Sequence, residues 1–206
     1  KCKIFDFKHN NINVSLKELY NKYGFGIGYC LNSVNQWRQN CLMLSSMLGD
    51  LGYVKQILSL KSINIDDRDN RGATSLYRAS HENHYKIVEY LIKNGADIFK
   101  KKITKETPIE IACMKSNIDT VKVMLNNTDV NKFNNKLLYD NQWTPVHCAC
   151  ISGDISTLKL LLDNGLPYSE QNIFGQTPLH VCAKRNHLEL IKLLGTYYTY
   201  NELNIK

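Results

Sequence analysis

The stretch Gly175-Gln-Thr-Pro-Leu-His-Val-Cys-Ala183 decides how the rest of this chain is read. A near copy stands upstream as Trp143-Thr-Pro-Val-His-Cys-Ala149, and its threonine precedes Thr177 by 33 residues (177 − 144). Thr74-Ser-Leu-Tyr77 and Thr107-Pro-Ile-Glu110 are degenerate copies, again 33 residues apart (107 − 74). Each threonine reads as the start of a helix. Its hydroxyl can accept a free backbone N–H, and a proline in the next position has no N–H to leave unpaired. Five residues on stands a small side chain, Ala79, Ala112, Ala149 or Cys182, followed by Ser80, Cys113, Cys150 or Ala183. Small groups there let neighbouring helices approach closely. A turn centred on Asn83, Asn117, Gly153 or Asn186 then leads into a second helix with apolar residues at helical spacing. These are Val88, Leu91 and Ile92; Val121, Met124 and Leu125; Leu158, Leu161 and Leu162; Ile191 and Leu194. Gly72 and Gly175 fall in the turn before the threonine, and Gly95 and Gly165 end two second helices as left-handed caps.

A fifth, weaker unit precedes these. Leu42, Ser45, Ser46, Gly49, Asp50, Val54, Ile57 and Leu58 follow the same template, with Asn40 in the threonine position, 34 residues before Thr74. The spacing from Thr107 to Thr144 is 37, which places about four extra residues in the polar, Asn-rich stretch 131–141 and predicts a longer loop there. The recurring motif resembles the ankyrin repeat. That resemblance implies an all-α solenoid of helix-turn-helix units with hairpin-like loops, divided at about 36–68, 69–101, 102–138, 139–171 and 172–200. It also implies that His147 and His180 bond between neighbouring units. Met43, Tyr77 and Glu110 occupy that position elsewhere, so register there must rest on other contacts.

The flanks depart from the template. In 1–35, Ser15-Leu-Lys-Glu18 reads as a capping box, with Leu16, Leu19, Tyr20 and Tyr23 on one helical face and Gly24 as a stop. That helix is expected to cover the open end of the stack. The apolar, Gly-rich stretch 25–31 has no place in the template. At the other end Tyr197-Tyr-Thr-Tyr200 either caps the array or begins a further unit, followed by the tail 201–206.

The chain of 206 residues is 43% hydrophobic and 22% charged, which suits a water-soluble fold with a sizeable core. Its opening Lys1-Cys-Lys-Ile-Phe-Asp-Phe-Lys8 is too charged for a secretory leader, and a first residue that is not Met reads as a piece of a longer chain. Seven cysteines, an odd number, favour reduced thiols in the cytoplasm or nucleus over a disulfide framework. The net charge of +7 is spread over scattered lysines, densest at Lys100, Lys101, Lys102 and Lys105, so nucleic acid is a minor expectation.

No catalytic constellation, cofactor or metal site is expected. Cys148, Cys150 and Cys182 with His147 and His180 invite a zinc reading, but two of these cysteines fill small-residue core slots and a closed site needs four converging ligands. Gly24-Phe-Gly-Ile-Gly28 lacks the third glycine of a dinucleotide loop and any Gly-Lys-Ser/Thr. The expected function is a non-enzymatic interaction module for a protein or peptide. The alternative is a regulatory or targeting segment of a larger enzyme or membrane protein, such as a channel or acyltransferase. The resemblance implies a partner face made by hairpin tips and outward positions of first helices. These map to Asn70, Arg71, Ala73, His81 and Glu82; to Thr104, Glu106, Met114 and Lys115; to Asp140, Asn141, Trp143, Ile151 and Ser152; and to Phe174, Gln176, Lys184 and Arg185. Trp143 and Phe174 are large apolar groups where a turn does not need them, which suits interface anchors. Trp143 can equally pack down on the enlarged loop, and Trp37 can extend the stripe or seal the N-terminal end.

Overall fold

The computed structural model describes residues 34–60, 63–134 and 142–198. The expected capping helix at 15–24, the stretch 25–31, Asp140, Asn141 and everything from Thr199 onward lie outside the described residues. Among the described residues, five helix pairs follow one another: α1 (Cys41–Leu48) and α2 (Leu51–Ser59), α3 (Ser75–His81) and α4 (Tyr85–Lys93), α5 (Pro108–Met114) and α6 (Ile118–Asn126), α7 (Pro145–Ser152) and α8 (Ile155–Asp163), α9 (Pro178–Lys184) and α10 (Leu188–Gly195). No strand occurs among the described residues. The architecture is the all-α solenoid read from the repeats.

Each first helix starts where its cap dictates. Thr74, Thr107, Thr144 and Thr177 are extended residues whose hydroxyls accept the backbone N–H three positions on. Asn40 does the same for α1, accepting from Met43 N, so the first unit keeps the capping chemistry without Thr-Pro-x-His. Two left-handed residues recur in every unit. One lies two positions before the cap: Arg38, Gly72, Lys105, Gln142 and Gly175, with φ from 52° to 75°. The other lies nine positions after it: Gly49, Asn83, Ser116, Gly153 and Asn186. Ser116, at φ 58°, takes the turn that residue preference assigned to Asn117. Distance from Thr107 overrides the intrinsic tolerance of Asn for that conformation. Asn117 instead leads α6, and its Nδ2 donates to the Ser80 and His81 carbonyls of the preceding unit at 2.8 and 3.1 Å.

Gly153 is required twice over. Its φ is 78°, and a Cβ there would sit 2.6 Å from Cε1 of His187. Gly153→Ala is therefore expected to lose at least about 1–2 kcal/mol of stability. A melting curve matching the parent's would mean that neither the left-handed backbone nor the imidazole contact constrains this position.

The first helices α1, α3, α5, α7 and α9 each pack on the next, and α2, α4, α6, α8 and α10 form a parallel row. A continuous apolar cluster runs from Leu42 in the first unit to Tyr198 beyond the last. The close-approach residues Ala79, Ala112, Ala149 and Cys182 are fully buried. So are Val54, Val88, Val121 and Leu158 on the second helices, each adding about 1.5–3 kcal/mol. The polar insertion begins with a short 3-10 turn, Val130–Asn134. Its Phe133 is buried and meets the Phe99 ring at 5.4 Å. Asn-rich composition concealed this apolar anchor.

Candidate binding surface

Hairpin tips and first-helix positions together form the surface to which the expected contact residues belong. Three tips are shaped by one device, an Asx side chain five residues before the cap that accepts two backbone N–H groups. Asp69 Oδ1 accepts from Arg71 and Ala73 at 2.8 and 2.9 Å. Asn172 Oδ1 accepts from Phe174 and Gln176 at 2.9 and 3.0 Å. Asn35 Oδ1 accepts from Trp37 and Gln39 at 3.0 and 2.9 Å. The tips of the first three units also bond to one another: Asn70 N donates to Trp37 O and Ile103 N to Arg71 O, both at 2.9 Å. The side chains presented at the tips therefore stand on a fixed backbone.

Beneath the tips, the fourth residue of the motif sets register between units. Thr144 N–H donates to His147 Nδ1 at 3.2 Å, so that nitrogen is unprotonated. The proton consequently sits on Nε2, which donates to the Gln176 carbonyl of the next unit at 3.0 Å. Burial lowers the His147 pKa to about 4 and so keeps the ring neutral, while the Gln176 bond opposes this in part. His180 makes the same local bond to Thr177 but lies exposed. In the second unit Tyr77 replaces histidine, and its hydroxyl donates to Glu106 Oε2 of the third unit at 3.2 Å. Lys102 Nζ and the Thr104 hydroxyl donate to the same oxygen at 3.2 and 2.7 Å. Burial would raise the Glu106 carboxyl, but these bonds hold it below its usual range. Glu110 has no such link: it is buried, and its Oε2 accepts from Thr107 N and Oγ1 at 2.6 Å. Burial pushes its pKa up to about 7.

The expected contact residues divide sharply. Phe174 is 69% exposed and the adjacent Ile173 is 53% exposed. Asn70, Arg71, Glu82, Thr104, Lys115, Lys184 and Arg185 are also exposed. His81, Met114, Ile151 and Gln176 are half-buried, and His81 bonds Glu82 at 2.8 Å. Ser152 is half-buried and spends its hydroxyl on Ala149 O at 2.9 Å. Glu106 is half-buried and committed to the network above. Ala73 is only 1% exposed, packed with Tyr77 and Ile111, so it cannot touch a partner. A tip position looks outward in the sequence frame, yet the next helix closes over it. Trp143 is half-buried against the core, its ring edge-on to His147 at 5.6 Å. Sequence reading also missed the pair between Asp69 and the Arg78 guanidinium. Burial raises the Asp69 carboxyl, but Arg78 and two backbone N–H groups outweigh it and hold it below the usual value. The available signal was an Asx residue five before the cap in three units.

Burial pushes the Cys113 and Cys148 thiols up, and the Cys182 contact together with burial does the same to Cys150, so none offers a ready thiolate. Among the described residues, no three His, Cys, Asp or Glu side chains are placed to hold a metal ion. No helix among them is long and apolar enough to cross a membrane.

The chain matches the family profile "Ankyrin repeats (3 copies)" over residues 8–102 and 109–205. It is 34% identical over 132 residues to the ankyrin repeat protein FPV223 of Fowlpox virus (strain NVSL), covering 64% of this chain and 88% of that protein. Over 83 residues it is 32% identical to the ankyrin repeat protein YahD of Escherichia coli (strain K12), covering 40% and 41% of the two chains. Over 77 residues it is 29% identical to protein phosphatase 1 regulatory subunit 27 of Mus musculus, covering 37% and 50%. With the capped helix pairs, the inter-unit histidine bond and the family profile in agreement along most of its length, the chain belongs to the ankyrin-repeat family.

Proposed function

We propose that this chain is a non-catalytic, cytoplasmic interaction module that binds a protein or peptide segment along the hairpin tips and first-helix face. The observation that carries this reading is Phe174, 69% exposed at a tip held by Asn172. A large ring on a rigid turn loses little freedom on binding and offers much apolar area. Exposed Lys184 and Arg185 in the same unit favour a partner segment that is acidic with an apolar anchor. The half-buried Trp143 acts in part as a structural residue, so Phe174 is the cleaner probe.

The test starts with capture of partners from native cytosol on the immobilised chain. For a partner so identified, Phe174→Ala is expected to weaken affinity by about 30-fold, roughly 2 kcal/mol, with modest weakening by salt. The melting curve should not change, because the ring is outside the core. Unchanged affinity in an equally stable variant would move the interface elsewhere. A second reading is a regulatory or targeting segment of a larger enzyme or membrane protein, and one comparison bears on it only by length, as a stretch of similar sequence within a much longer chain. The chain is 32% identical over 75 residues to alpha-latrocrustotoxin-Lt1a of Latrodectus tredecimguttatus but covers only 5% of that protein. Identification of a single polypeptide containing this segment and a catalytic or membrane domain would favour it.

A further inference from the structure

The last helix pair exposes the positions that the first four units bury against their successors. The residue two after the cap is fully buried in Leu42, Leu76, Ile109 and Val146, but Leu179 is half-exposed. The residue six after it is fully buried in Ser46, Ser80, Cys113 and Cys150, whereas Ala183 is exposed. Fourteen after it, Val54, Val88, Val121 and Leu158 are fully buried, and Ile191 is not. His180 shares the motif and local bond of His147 yet lies exposed, where His147 donates to the next unit's backbone carbonyl. These side chains are those of an interior unit, not of a polar end cap, which an exposed end of a stack normally carries.

We infer that the face of α9 and α10 is a stacking site for one further ankyrin-type helix pair, carried by this polypeptide beyond Lys206. The face continues the four established inter-unit interfaces, so its occupant's chemistry follows from theirs. It needs a first helix with small residues at the close-approach slot and a turn carbonyl placed to accept from His180 Nε2. The sequence after α10 supports a covalently joined source. Leu203-Asn-Ile205 echoes Ile63-Asn-Ile65, which leads into the turn before Thr74, and the family match runs to residue 205. Tyr197 and Tyr198 fold back on the preceding unit and not over this face, with Tyr168 OH donating to Tyr197 O at 2.6 Å and the Tyr168 and Tyr198 rings 5.1 Å apart.

The test extends the 206-residue chain by a copy of its own residues 171–198 placed directly after Lys206. The added threonine then falls 36 residues beyond Thr177, between the native spacings of 33 and 37. Diethyl pyrocarbonate modification of His180 is expected to slow at least tenfold on extension, with His81 as an unaffected internal control. Amide exchange in α9 and α10 should slow in parallel. Ala183→Arg should leave the 206-residue chain's melting curve unchanged yet abolish both protections in the extended chain. Unchanged His180 reactivity alongside a folded added unit would overturn the assignment, as would marked destabilisation of the 206-residue chain by Ala183→Arg. Dimerisation of the 206-residue chain that Ala183→Arg removes would make a second copy the occupant and also overturn it. None of these readouts depends on Phe174 or on a captured partner.

Discussion

Ala149→Leu is expected to destabilise the fold by about 2 kcal/mol or more. Ala149 is fully buried five residues after Thr144, on α7, which packs between α5 and α9. Three added carbons in that slot force the first helices apart or drive leucine off its rotamers, and overpacking of this kind typically costs about 1–3 kcal/mol. For a chain of this size the melting temperature should fall by roughly 4–8 °C. Because stability in a stack is a sum over neighbouring contacts, the last two units can also lose coupling to the first three and melt separately. Ala183→Leu, one position out of the slot and exposed in the last unit, should have little effect. Thermal denaturation followed by helical circular dichroism checks both. Parent-like melting of Ala149→Leu would falsify the packing frame.

Glu110→Gln should change the pH dependence of stability as strongly. The Glu110 carboxyl is raised from 4.5 to about 7, chiefly by burial, with Thr107 bonds and Lys101 opposing and Glu106 reinforcing. A raised folded pKa makes a contribution present below pH 4.5 and lost as pH rises through about 7, worth roughly 3 kcal/mol. His147 runs the other way. Its pKa is lowered from 6.5 to about 4, so its contribution is present above pH 6.5 and lost as pH falls through about 4, again roughly 3 kcal/mol. Between pH 4.5 and 6.5 the two slopes nearly cancel. Gln keeps an acceptor for the Thr107 N–H and removes the titration. Denaturant unfolding of Glu110→Gln should therefore show stability rising from pH 4 to 6.5 where the parent is nearly flat. At pH 8 the variant should be the more stable protein, because the parent then carries a buried carboxylate. A variant with the parent's pH profile would mean that Glu110 titrates normally.

Much of the fold was legible because its signals are local. A threonine, a small residue five further on and a left-handed turn act within one helix length, and Asn40 could be placed despite lacking Pro and His. The left-handed positions at Arg38, Lys105 and Gln142 were not legible, since these residue types carry no such preference and the surrounding stack imposes the conformation. The candidate site was less legible than the fold. Ala73 and Phe174 both lie within three residues of a cap threonine, yet one is closed over by Tyr77 and Ile111 and the other projects from its tip. Phe133 looked like loop and is core because Phe99 of the preceding unit reaches it.

The sequence by itself determined the period, the caps, the small-residue slots and hence the solenoid, since each depends on residues close along the chain. Only the tertiary structure decided which copies of one position are buried, how Tyr77 and Glu106 replace a histidine, and that His180 and Ala183 stand open where His147 and Cys150 are covered. The physical reason is that burial belongs to a pair of units: the same side chain at the same point of the motif is core or surface according to whether a neighbour stacks upon it.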